Sequence, residues 1–221
     1  MNFAYIFTFQ EGHQIRINVE VRRPQRDDNE HHAEWTHLEY QRCKNCPLST
    51  EEHKYCPVAL DIENTAKAFS GAYSYDPVTV HVHSPNREYR KDTDVQTGLN
   101  SLIGLIMSTG NCPILSRLRP MALNHLPFSS LEETILRTSG IYLLREYMKS
   151  VKGEIPDYSM ANLEKLYKEL RTVNRALKQR LDGAAKTDAT INAINAFFSL
   201  SALVEMSVKE HMLDLEMFFE G

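Results

Sequence analysis

Hydrophobic and polar positions alternate along the first part of the chain. Phe3, Tyr5, Phe7 and Phe9 alternate with Ala4, Ile6 and Thr8, and Ile15, Ile17, Val19 and Val21 alternate with Arg16, Asn18 and Glu20. A period of two marks half-buried strands, and the stretch 10–13, with Gly12 inside, supplies a hairpin turn. Residues 22–34 form a charged loop. Residues 35–42 suggest a third strand and 78–83 a fourth, the latter bounded by Asp76, Pro77, Ser84, Pro85 and Asn86. A short helix is expected over 58–69.

After Asp92 the period becomes helical. Thr93 and Gln96 make a T-x-x-Q capping box, followed by Val95, Leu99, Leu102, Ile103 and Ile106 at helical spacing. This helix is apolar nearly all round, which places it centrally. A second helix starts at Ser129 or Ser130, with Glu132 and Glu133 in its first turn, and ends before Gly153 and Pro156. A third carries Leu163, Leu166, Tyr167, Leu170, Leu177 and Leu181 and stops at Gly183. A fourth starts near Thr187 and Asp188 and continues towards Phe219. The expected fold is α+β: N-terminal antiparallel strands with a cysteine metal knuckle (1–92), packed on a C-terminal bundle of about four main helices (93–221), as a single unit.

The cysteines change this picture most. Cys43-x2-Cys46, Cys56 and Cys112 are the four in the chain, and Cys46, Cys56 and Cys112 are each followed by proline. A close pair turns two thiolates onto one metal, and four thiolates close a tetrahedral zinc site with no open position for catalysis. A cubane iron–sulfur cluster also takes four cysteines, although the third closely spaced cysteine of a bacterial ferredoxin is missing. Cys43 and Cys46 as a redox pair, and unligated cysteines, are the remaining readings. His31, His32, His37 or His53 could replace Cys112 as fourth ligand. With Cys112 as the fourth, the metal would staple the helical part to the strand part.

Charge excludes one class of partner. The formal net charge is −4, and the basic run Arg22-Arg23-Pro24-Gln25-Arg26 is cancelled by Asp27, Asp28 and Glu30, so nucleic acid is not expected. The N-terminus has neither the cationic region nor the cleavage site of a signal peptide, and no apolar run reaches membrane-spanning length. A cytoplasmic location follows as the expectation, and there clustered cysteines bind metal more often than they pair.

Other polar positions carry less. His81 and His83 share one strand face with Thr79, which fits the polar side of a half-exposed strand better than a metal site lacking a third ligand. Arg119 and His125 sit among proline and apolar residues, and Asp188, Asn192, Asn195 and Ser199 share a face of the fourth helix. Together Arg119, His125, Asp188, Asn192 and Asn195 could line a polar pocket for a small ligand. Asn174 interrupts the stripe of the third helix and should face the core. Phosphate-cradling, dinucleotide-binding, nucleophile-elbow and zinc-protease motifs are all missing.

Several segments together resemble a family of uncharacterised bacterial proteins. They are Cys43-Lys44-Asn45-Cys46-Pro47-Leu48, Tyr55-Cys56-Pro57-Val58-Ala59, Gln96-Thr97-Gly98-Leu99, Gly104-Leu105-Ile106-Met107, Gly110-Asn111-Cys112-Pro113, Arg119-Pro120-Met121-Ala122 and His125-Leu126-Pro127-Phe128. The resemblance runs from about Gln41 into the last helix and implies a bacterial origin and one full-length unit, with no activity attached. The expected function is a non-enzymatic interaction or accessory module stabilised by a structural four-cysteine zinc site, with an unknown protein or small ligand as partner. An enzyme or small-ligand binder built around Arg119 and His125 is the alternative, and an iron–sulfur redox or regulatory protein a further one.

Overall fold

Alternation in the first twenty residues builds an antiparallel hairpin, β1 (Asn2–Phe9) and β2 (Gln14–Glu20), in a computed structural model that describes residues 2–22, 31–182 and Val204. Two further strands, β3 (Pro77–His83) and β4 (Glu88–Asp94), complete a four-stranded antiparallel sheet of order β2-β1-β3-β4. The first strand is thus central. Phe7 pairs with Val80 and Tyr5 with Val82, so Phe3, Tyr5 and Phe7 share one buried face with Val78, Val80 and Val82. That face receives the helices.

β4 extends the strand region past the expected boundary at 92. Thr93 pairs with Val78 in the ladder, so it cannot cap the following helix. Asp94 caps α2 (Val95–Thr109) instead, accepting the Thr97 amide at 2.7 Å. The Thr93–Gln96 box is therefore displaced by one residue, because the strand holds Thr93. Leu99, Leu102, Ile103, Leu105, Ile106 and Met107 are all buried, which confirms α2 as the central helix. It lies hard against the sheet at Gly98, where an added Cβ would stand 2.5 Å from Phe7 and 2.9 Å from Val80.

The segment 35–42 is not a strand. It forms a short 3₁₀ turn, Glu34–Thr36, and then a single bridge between His37 and Tyr55. The carbonyls a strand would offer are taken elsewhere: Arg180 donates to those of Trp35, His37 and Leu38 at 2.8, 2.6 and 2.9 Å. Next comes α1 (Pro57–Ala68), with Cys56 at its N-cap and proline at its first position.

Residues 115–123 form a 3₁₀ turn, Leu115–Leu118, and the short α3 (Arg119–Leu123). α4 (Leu131–Val151) starts as expected: Ser130 and Glu133 exchange bonds with each other's amides at 3.2 and 2.7 Å in a capping box. α5 (Ala161–Asp182) buries Leu163, Leu166, Leu170, Val173, Leu177 and Leu181. Asn174 is buried on this helix, as its place in the stripe requires. The expected fourth C-terminal helix, with Asp188, Asn192 and Asn195, lies outside the described residues. One continuous apolar cluster runs from Phe3 and Val19 on the sheet through α2 to Leu177 on α5. Among the described residues no helix is long and apolar enough to cross a membrane.

Candidate functional site

The four thiols are neighbours in space. Cys43 and Cys46 close a turn, with the Cys46 amide on the Cys43 carbonyl at 3.0 Å. The charge of Cys56, Cys112 or Cys46 would be felt at Cys43, and that of Cys56 or Cys46 at Cys112. All four are free thiols. Proline after Cys56 and Cys112 has no N–H to offer. The first available amides, of Val58 and Ala59 and of Ile114 and Leu115, are directed at the two sulfurs and favour their thiolate forms.

Burial opposes those amides. It pushes the Cys43 thiol up to about 12, helped by the neighbouring sulfurs, and the Cys112 thiol up to about 11. Cys56 is raised by burial too, with the Arg180 guanidinium acting against it. A bound cation would reverse the balance, because it stabilises the thiolates directly. Among the described residues, no three His, Cys, Asp or Glu side chains are drawn into a group that could hold a metal ion. The sulfurs share a neighbourhood, not a closed ligand set.

Two nearby histidines have other partners. His32 Nδ1 lies 2.7 Å from the buried carboxylate of Glu63, which also meets Lys67 at 2.9 Å. His37 packs on the Tyr55 ring with centroids 4.8 Å apart. The thiol region is tied to α5 by Asn45, which donates to the Glu169 carbonyl at 3.0 Å, and by the Arg117–Glu169 ion pair at 2.5 Å.

A second site is a cavity of about 450 Å³ beside α2. Thr97, Asn100, Ser101, Gly104 and Ser108 of α2 line one wall. Glu133, Thr134 and Arg137 of α4 line another, while α3 and the residues after it contribute Met121, His125, Leu126 and Phe128. Lys91 of β4 and Val204 also reach it. Most of the apolar lining comes from α3 and the loop after it, which also supplies His125.

His125 is held by the sheet. The Tyr5 hydroxyl lies 2.6 Å from His125 Nε2 and 2.8 Å from Ser101 Oγ, and Ser101 Oγ accepts the Phe128 amide at 3.2 Å. The Phe3 ring meets the imidazole edge-on at 5.3 Å. Burial, with Arg137 nearby, pushes His125 down to about 3, and burial raises the Tyr5 hydroxyl far above its usual range. At neutral pH both are uncharged.

Arg137 is the less satisfied member. One of its terminal nitrogens donates to the Asn124 carbonyl at 3.3 Å. Its Nε is buried without a hydrogen-bond partner among the described residues, as is Asn100 Oδ1. Desolvation lowers the pKa of Arg137, against Tyr167 and Glu133, which favour its charge.

The sequence-derived pocket is only partly assembled. His125 lines the cavity. Arg119 does not belong to the lining and donates to the Gly110 carbonyl at 3.0 Å. Asp188, Asn192 and Asn195 lie outside the described residues. His81 and His83 stack with centroids 6.5 Å apart, and the carboxylate thought missing nearby is Glu88, 3.1 Å from His83 Nδ1.

A family model described as "Domain of unknown function (DUF6901)" matches residues 3–220. The chain belongs to this family. No curated protein and no solved structure matches it. The DUF6901 description assigns no activity, so chemistry in this member rests on its own side chains. Several of them escape a linear reading of this DUF6901 chain. Tyr5 looks like a core residue, and Arg137 like one more charge on a helix that exposes Leu136 and Leu144. A signal for the α2 wall does exist: Thr97, Asn100, Ser101, Gly104 and Ser108 are small or polar residues at helical spacing on an otherwise apolar helix.

Proposed function

We propose that this chain is a small-molecule-binding accessory module whose helical part is stapled to its sheet by a structural zinc ion on Cys43, Cys46, Cys56 and Cys112. One observation carries the binding reading. The cavity of about 450 Å³ has the size of a small-molecule site, and it sets polar side chains, Asn100, Ser101, Thr134 and Arg137, opposite the apolar Leu118, Met121, Leu126 and Phe128. Binding is favoured over acid–base turnover because His125 is held at about 3, far from the neutral value that serves a general base.

A thermal-shift screen of a metabolite library tests this, run on the wild type and on Met121→Trp, which fills the cavity from a half-buried position. Some compounds should raise the wild-type Tm by several degrees and leave the variant unchanged. A library without a single stabilising compound, or identical shifts in both proteins, would end the proposal.

The zinc reading is supported by the mutual proximity of the four sulfurs, by their free thiol state and by the amides directed at Cys56 and Cys112. Free thiols also fit the reducing cytoplasm. An iron–sulfur cluster would use the same four sulfurs and differs in colour and metal content.

A further inference from the structure

We propose that the second half of α4 and the loop after it form the contact surface of a symmetric dimer of this chain. Leu144, Tyr147, Met148 and Val151 follow one another at i, i+3, i+4 and i+7, so they stand on one face of the helix. Surface helices turn such a stripe to the core, yet all four side chains are more than half exposed. The core contacts of α4 come from the opposite side of its circumference, where Ile135, Thr138, Ser139, Tyr142 and Glu146 are buried. The helix therefore has one face satisfied and a second apolar face left open. Beyond its end, Tyr158 is also more than half exposed, and Ile155 is 94% exposed.

The loop that carries Ile155 is fixed from beneath. Glu146, itself fully buried, accepts the Asp157 amide at 3.0 Å, and the Tyr142 hydroxyl donates to the Asp157 carboxylate at 2.7 Å. The Tyr158 hydroxyl donates to Ser150 Oγ at 3.1 Å. An apolar side chain held out by an ordered loop binds without the ordering cost of a flexible one. Glu146 also takes the two cations next to the stripe, Arg145 and Lys149, each at 3.0 Å. With their charges matched inside the chain, a second apolar surface can close on the stripe without leaving these two cations unpaired.

Area selects the occupant. On the scale of about 150–250 Å² per aromatic side chain and somewhat less per aliphatic one, the six exposed residues offer roughly 700 Å² of apolar surface. A soluble monomer ordinarily leaves about 300–600 Å² in its largest patch, whereas each side of a stable protein interface buries about 800 Å². A second copy supplies a surface of that size and chemistry. An antiparallel twofold between Tyr147 and Met148 sets Leu144 against Val151 of the other copy and Tyr147 against Met148, so each apolar residue of the stripe meets another. A membrane surface fits less well. Helices that lie on lipid carry a free cationic rim, but Arg145 and Lys149 are committed to Glu146, and the chain's net charge of −4 opposes anionic headgroups.

Sedimentation velocity on the full chain, with a reductant present so that its thiols cannot cross-link, tests the proposal. At tens of micromolar the wild type should sediment at twice the 25.4 kDa chain mass. Ile155→Asp and Leu144→Glu, both at exposed positions, should keep the wild-type circular dichroism and raise the dimer Kd by about a hundredfold or more, because a twofold brings each change into the interface twice. A wild-type monomer at that concentration overturns the proposal. A lowered Tm in monomeric Leu144→Glu would then place another part of the same chain on the stripe, and co-sedimentation of the wild type with phosphatidylglycerol vesicles would give the stripe to a membrane. Dimers that survive both substitutions overturn it as well, because the contact would then lie elsewhere.

Discussion

Arg180 Nη1 donates to the carbonyl oxygen of His37 at 2.6 Å, joining the end of α5 to the segment that leads into the cysteines. The same guanidinium holds the carbonyls of Trp35 and Leu38, and Arg180 is only 1% exposed. Arg180→Met should leave all three carbonyls unmet and cost roughly 3 kcal/mol or more. Urea denaturation measures this. A midpoint equal to wild type would show that the carbonyls find other donors.

Two glycines in helices should respond with opposite signs. Gly98→Ala drives a methyl group to 2.5 Å from Phe7, where backbone and aromatic ring must both shift, so a loss of about 1–3 kcal/mol is expected. Gly140, on the exposed side of α4, has nothing within 4 Å of an added Cβ. Gly140→Ala should gain up to ~1 kcal/mol from helix propensity alone. Thermal melts of both variants check the pair, and equal shifts would contradict the close approach at Gly98.

His125 makes stability depend on pH in a defined window. Its folded pKa of about 3 lies below the unfolded value of 6.5. Between these values the unfolded chain binds a proton that the folded one does not, so stability falls as the pH drops from 6.5 towards 3. The slope from this group is about 1.4 kcal/mol per pH unit, and above 6.5 it vanishes. Carboxylates titrate in the same range, so the measurement is the difference between wild type and His125→Asn. A shallower curve for the variant is expected, and parallel curves would mean that His125 is protonated in the folded state.

Anaerobically purified protein should be colourless and carry one zinc per chain, with Cys112→Ser lowering both metal content and Tm. Brown protein absorbing near ~400 nm would replace zinc by an iron–sulfur cluster. Unchanged metal content in Cys112→Ser would remove that residue from the ligand set.

What could be read from the sequence divides along one physical line. β1, β2 and β3 were legible because one face is buried and the other wet, which writes a period of two into the residues. β4 was not, because it is an edge strand whose Arg90, Lys91 and Asp92 are all exposed, leaving no alternation to see. The segment 35–42 has strand-like composition, but a guanidinium from α5 claims its carbonyls, and no local rule anticipates a partner so distant in sequence. In the cavity, His125 stood out as an imidazole among proline and apolar residues. Arg119 shared that setting and turned to Gly110, while Arg137 entered from the next helix. Which arginine reaches a cavity depends on packing angles between helices, and periodicity alone does not encode them.

β1 lies between two partners that the ribosome makes at very different times. β2 follows at once, but the partners of β1 on its other edge run from Val78 to His83. At synthesis rates of ~5–20 residues per second, the second edge stays open for roughly 4–15 s after β1 is complete. During that interval the nascent chain presents a hairpin with one aromatic face and one bare hydrogen-bonding edge, the combination that invites pairing with a neighbouring chain. Slower translation between β2 and β3 lengthens that exposure, and α1, made within the same interval, is the first element available to cover the aromatic face.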